Sequence, residues 1–270
     1  MALPKQTAMR KNANGIEVTY ERSGKPEGEV VMLSHSLGSS LAMWNPQMDE
    51  LNASFHTLRY DTCGHGGTEV VDGRYTLDQL GDDAVGLMDA LGVETVHWVG
   101  LSMGGMIGQN LALRYPDRMQ TLSLCDTTSI IPDEAQPIWA ERMGLAQQEG
   151  MEALADSTMQ RWFTAAYLDL GPTSVQMIRD QFVNTAVAGF VGCCHAIRAL
   201  DYLDKLSQIE IPTAIVVGAD DPSTPVGASE AMHQRIRGSS FAVIPNAAHL
   251  ANLEQAARFK GILLDFLTAH

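Results

Sequence analysis

The sequence predicts an α/β fold, a mostly parallel sheet flanked by helices, with a helical segment inserted before the last two strands. Three observations predict it. Short apolar runs alternate with amphipathic runs of helical period through the first half of the chain. Residues 131–206 keep the helical period but carry no convincing strand. Strand-like runs then return at residues 213–217 and 241–244, before a closing helix carrying Phe259, Ile262, Leu263 and Phe266.

Each element has a local reason. Residues 16–22 alternate apolar and polar, as a half-buried opening strand does. Residues 30–34 (Val-Val-Met-Leu-Ser) form a continuous apolar run, the signature of a strand covered on both faces. Residues 55–60 form the next strand. Residues 76–91 place Leu77, Leu80, Ala84, Leu87, Met88 and Leu91 on one helical stripe. Thr76 with Gln79 forms a capping box and Gly92 a C-terminal stop. A strand at 96–101 runs into a helix at 103–115, which Pro116 ends, and a strand follows at 121–125. Pro132, Pro137 and Pro172 punctuate the helical stretch. The expected division is a core of residues 1–130 and 207–270 and a helical lid of residues 131–206, all in one structural domain. A lid there would cover the C-terminal edge of the sheet, where open α/β sheets bind ligands.

Composition narrows the partners. A chain of 270 residues can bury a sizeable core. Its 18 Lys+Arg against 32 Asp+Glu give a net charge of −14, which repels nucleic acid and anionic membrane. The expected partner is a small molecule, with no nucleic acid and no membrane, and assembly into a homo-oligomer is left open. Cys63, Cys125, Cys193 and Cys194 fit neither a zinc site nor a disulfide framework, so no metal is expected. Residues 1–15 are polar and lack a signal-peptide core, and no segment is long and apolar enough to span a bilayer. A cytoplasmic location fits best.

Chemistry enters at Gly100-Leu101-Ser102-Met103-Gly104. A sharp strand-to-helix turn lifts one side chain off the sheet, and its neighbours must be small because the backbone folds back on itself. The helix N-terminus behind it offers N–H groups to an oxyanion. A serine hydroxyl needs a general base, and that base an orienting carboxylate, here in the order Ser, Asp, His. Post-strand loops supply Asp220 and Asp221, then His249. The oxyanion donors are expected to be the N–H groups of Met103 and of Leu37, in the loop His35-Ser36-Leu37-Gly38 after the 30–34 strand. The other histidines compete poorly: His65 sits in a glycine-rich turn and reads as structural.

Together these residues resemble the α/β-hydrolase superfamily, and within it the 3-oxoadipate enol-lactonase family. The resemblance covers nearly the whole chain. It rests on Ser36-Leu37-Gly38, Met43-Trp44, Leu58-Arg59-Tyr60-Asp61-Thr62, residues 100–107, Arg161-Trp162-Phe163-Thr164, Gly192-Cys193-Cys194 and residues 218–225. The elbow is common to many hydrolases, whereas the Arg161 and Gly192 stretches are more specific to lactonase-like members. The resemblance implies the α/β-hydrolase fold and a triad of Ser102, Asp221 and His249, the spacing from Gly218 to Pro225 selecting Asp221 over Asp220. It also implies a carboxylic ester hydrolase that opens an enol-lactone in the β-ketoadipate branch of aromatic catabolism, with no cofactor. Substrate contacts are expected at Arg161, Trp162 and Ser36. Arg161 would meet a substrate carboxylate or sit on the lid surface, and Trp162 also reads as lid packing. Cys63 departs from the family, which usually has Arg there. A carboxylesterase, perhydrolase or carbon–carbon bond hydrolase on the same scaffold is the alternative.

Overall fold

The computed structural model describes residues 8–270. Eight strands form one sheet: β1 (Met9–Ala13), β2 (Ile16–Gly24), β3 (Val30–Ser34), β4 (His56–Tyr60), β5 (Val96–Leu101), β6 (Met119–Cys125), β7 (Thr213–Gly218) and β8 (Ser240–Ile244). Their order is β1-β2-β4-β3-β5-β6-β7-β8. The β1–β2 and β2–β4 pairs are antiparallel and all other neighbours are parallel. The continuous apolar runs lie in the middle: β5 is buried along its whole length between β3 and β6.

Helices flank this sheet. The first half holds α1 (Met48–Ser54), α2 (Leu77–Leu91) and α3 (Met103–Arg114). Five more lie between β6 and β7: α4 (Gln136–Glu149), α5 (Glu152–Trp162), α6 (Ala165–Asp169), α7 (Thr173–Val183) and α8 (Val187–Arg198). The chain ends with α9 (Val226–Arg235), α10 (Ala251–Glu254) and α11 (Ala256–Thr268). One half of the expected capping box and the expected glycine stop of α2 are present. Thr76 Oγ1 accepts the Gln79 N–H at 3.1 Å, and Gly92 takes the left-handed conformation, φ 68°.

The five helices between β6 and β7 leave and rejoin the core at a narrow neck. Ile130 bridges Asp201, Ile131 N–H donates to Leu200 O at 3.1 Å, and Tyr202 N–H donates to Ser129 O at 2.8 Å. The two ends of the insertion are therefore fixed against each other at the C-terminal edge of β6.

One strand went unpredicted. β1 is exposed along most of its length and lacks an apolar pattern, so periodicity misses it. Its signal is the dipeptide Asn14-Gly15, which adopts φ 50° and 87° and turns β1 into β2 as a tight hairpin. All four cysteines are buried and free, and burial pushes the Cys125 thiol well above its ordinary pKa. Among the described residues no helix is long and apolar enough to cross a membrane.

Candidate active site

Ser102 stands between β5 and α3 with φ 55° and ψ −114°. A non-glycine residue holds such a conformation at a cost of about 1–3 kcal/mol, and only where its surroundings impose it. Here they do. The Ser102 N–H donates to Cys125 O at 2.9 Å. The Ser102 carbonyl accepts from Gly105 N–H at 2.9 Å, Met106 N–H at 3.1 Å and Thr127 Oγ1 at 2.7 Å. The peptides on both sides of the serine are pinned, and its side chain reaches the cavity above the sheet edge.

His249 lines the same cavity. Its Nδ1–H donates to Asp221 Oδ2 at 2.9 Å, and both side chains are buried. The carboxylate is otherwise saturated. Oδ1 accepts from the Ser223 N–H at 2.7 Å and the Thr224 N–H at 3.1 Å, and Oδ2 also from Thr224 Oγ1 at 2.6 Å. Burial works to raise the Asp221 pKa. The His249 charge and hydrogen bond, with those from Thr224, outweigh it and hold the carboxyl below its ordinary value. Of the two neighbouring aspartates it is Asp221 that meets His249, whereas Asp220 is exposed. With Nδ1 committed to Asp221, Nε2 is the nitrogen left to serve as base.

The expected oxyanion donors are free. Met103 is the first residue of α3, so its N–H has no partner within the helix. Among the described residues neither the Met103 nor the Leu37 N–H has an acceptor. The Leu37 loop is held by two buried histidines. His35 Nδ1–H donates to Ser36 O at 2.7 Å, and its Nε2 accepts the Thr62 N–H at 3.0 Å. His65 Nδ1–H donates to Cys63 O at 3.2 Å, and its Nε2 accepts the Gly38 N–H at 2.9 Å. Burial pushes His35 down to about 4. Burial, and then the neighbouring His35, push His65 down to about 3. Both rings are therefore neutral near pH 7, each with one nitrogen free to accept. His65 is structural, as expected, but what it braces is the peptide next to the Leu37 donor. Replacing His65 with alanine orphans the buried Gly38 N–H, which costs about 1–3 kcal/mol. It should also lower kcat about 10- to 100-fold with a smaller change in KM. Thermal unfolding and steady-state kinetics read both effects.

The cavity encloses about 550 Å³. Leu37, Ser102, Arg161, Trp162 and His249 line it, and Trp162 also packs edge-on against Phe182 with ring centroids 5.7 Å apart. Trp162 thus packs within the helical insertion and also faces the cavity. Ser36 is a correction. It is fully buried, is not among the lining residues and has an unpartnered Oγ. Adjacency to Leu37 does not carry it into the cavity, because the tight turn sets successive side chains in different directions. Cys63 is also outside the lining: its Sγ donates to Glu69 O at 3.6 Å. The departure at this position therefore falls on loop packing.

Sequence reading missed three contributors. Glu254 accepts the Thr164 N–H at 2.7 Å with Oε1 and the Ala248 N–H with Oε2, fastening the His249 loop to the end of α5. Asp126, φ 42°, accepts the Gly218 N–H at 2.7 Å and so fixes the start of the Asp221 loop. Burial, with the Asp221 charge nearby, raises its pKa well above its ordinary value. Arg142 lines the cavity from α4. No local signal marks these three, since each acts through a tertiary contact.

Residues 29–256 match the family described as alpha/beta hydrolase fold. The chain belongs to that family. Among its relatives, 3-oxoadipate enol-lactonase 2 of Acinetobacter baylyi is 32% identical over 92% of this chain and 91% of its own length. The enol-lactonase of Burkholderia xenovorans LB400 superposes with a TM-score of 0.93 at 38% identity, covering 96% of this chain and 100% of that one. A malate-bound thermophilic esterase from Thermogutta terrifontis gives a TM-score of 0.91 at 28% identity, over 97% and 98%. The chain is thus a hydrolase similar to enol-lactonases.

Proposed function

We propose that this hydrolase opens a small carboxylated enol-lactone, such as 3-oxoadipate enol-lactone, through an acyl-enzyme on Ser102. The observation that carries the reading is the His249–Asp221 pair at 2.9 Å, with His249 sharing one cavity with Ser102. His249 Nε2 takes the Ser102 Oγ proton as that oxygen attacks the lactone carbonyl. Asp221 fixes the tautomer and steadies the imidazolium. The Leu37 and Met103 N–H groups receive the oxyanion. Collapse breaks the ring C–O bond, and the imidazolium protonates the leaving enolate oxygen. In a lactone the leaving group stays tethered to the acyl chain, so the cavity holds the whole opened product until water releases it. Ketone formation removes the enol oxygen as a competing nucleophile. Water, activated by His249, then hydrolyses the ester. Residues 131–206 act as the lid over this site, and Arg161 meets the substrate carboxylate.

Specificity constants for the carboxylated enol-lactone, a neutral aryl ester and peracid formation test the reading. The lactone is expected to exceed the aryl ester by about 100-fold, the scale of a charge-assisted contact absent from the ester. Equal or better turnover of the aryl ester would make the protein a general carboxylesterase.

A further inference from the structure

Two guanidinium groups, not one, line the cavity that holds Ser102 and His249: Arg142 from α4 and Arg161 from α5. Among the described residues no aspartate or glutamate lines that cavity. Among the described residues neither arginine forms an ion pair, in a chain carrying 32 carboxylates. Arg59, Arg114, Arg118, Arg179 and Arg235 each have a carboxylate partner.

The two differ in what holds them. Arg161 is in the last turn of α5, where the helix dipole favours a cation, and it donates to Thr158 Oγ1 at 3.3 Å. The Arg142 guanidinium lies 5.0 Å from the Trp139 ring centroid and 5.9 Å from that of Phe190. Aromatic faces steady a cation but accept no N–H hydrogen bonds in the guanidinium plane. Its Nε is buried with no partner. Burial, then the nearby charge of Arg161, pushes Arg142 down to about 10, so it remains protonated at neutral pH. A cation withdrawn from water without a counter-charge is costly, and a second cation close by adds to the cost. An anion between them removes both penalties.

We propose that Arg142 is the principal carboxylate anchor of the cavity, with Arg161 as its partner, and that the pair selects acyl substrates bearing a free carboxylate. This rests on the hydrolytic reading above and deepens it. The planar fork of Arg142, oriented by Trp139, presents two parallel donors to the two carboxylate oxygens.

Two measurements test it. The first is calorimetric titration with adipate, which needs no turnover. The wild-type protein should bind adipate, Arg142→Gln should weaken that binding at least about tenfold, and Arg142→Lys should fall between, keeping charge without the fork. Equal adipate affinity in the wild type and a folded Arg142→Gln protein, by circular dichroism, overturns the proposal. The second is the ratio of kcat/KM for the anionic lactone to that for its methyl ester. It should drop at least about tenfold in Arg142→Gln. An equal fall for both substrates overturns the assignment, as does a ratio that responds to Arg161→Gln alone. A wild-type protein that binds adipate in an Arg142-dependent way but turns over neither lactone would retain the anion site and remove the hydrolytic reading.

Discussion

Ser102→Ala is expected to lower kcat on any ester or lactone by about ten-thousand-fold or more, with KM little changed. The hydroxyl is the atom that attacks, so its loss removes the covalent route. What remains is the oxyanion donors and the binding pocket, which His249 can use only through water. The fold should not suffer. The Ser102 Oγ makes no hydrogen bond among the described residues, and alanine keeps the Cβ, so the φ of 55° is as strained as before. Ser102→Gly is the informative companion. Glycine adopts φ above zero without penalty, so it should lose activity equally yet gain about 1 kcal/mol of stability. Denaturation midpoints and single-turnover kinetics on both variants separate the chemistry from the strain. Residual activity of a few per cent in Ser102→Ala would show that another group attacks.

The three residues proposed as the triad stand out in the sequence because each lies just past a strand end, and strand ends are marked by local composition. Ser102 follows β5, Asp221 follows β7 and His249 follows β8. The choice between Asp220 and Asp221 was not readable from the residues. Neighbours in a loop differ by which way the backbone turns them, and that turn is set here by hydrogen bonds from Ser223 and Thr224. Ser36 went wrong for a related reason: the Leu37 loop was correctly located, but its tight turn buries the preceding side chain. Arg142 carries no sequence signal because its placement in the cavity depends on α4 meeting α8, which brings Phe190 to its guanidinium. The His35 and His65 brace likewise joins two loops about 30 residues apart in sequence, which no periodicity encodes. Local composition thus pointed to the groups proposed to react, while the groups that hold them in place came from packing.

Gly104→Ala is expected to cost about 3 kcal/mol or more and to disable the site before it unfolds the chain. A Cβ on Gly104 would come 2.2 Å from Ser34 O and 2.6 Å from Ser34 C. Those are backbone atoms of β3, which is held between β4 and β5 with Ser34 paired to both Tyr60 and Gly100, so they cannot retreat. The first turn of α3 must move instead. That turn carries the Met103 N–H, and the Leu37 loop begins directly after Ser34, so the two oxyanion donors separate together. Folded Gly104→Ala protein should therefore lose at least about 100-fold in kcat. Gly144→Ala is the control. Gly144 is in the middle of α4 with nothing within 4 Å of an added Cβ, so alanine there should stabilise by about 0.5–1 kcal/mol and leave turnover alone. Urea midpoints on the two variants make the comparison. A Gly104→Ala protein as stable and active as the wild type would mean that β3 and α3 can part by the width of a methyl group, and that the close approach at the elbow does not set the oxyanion geometry.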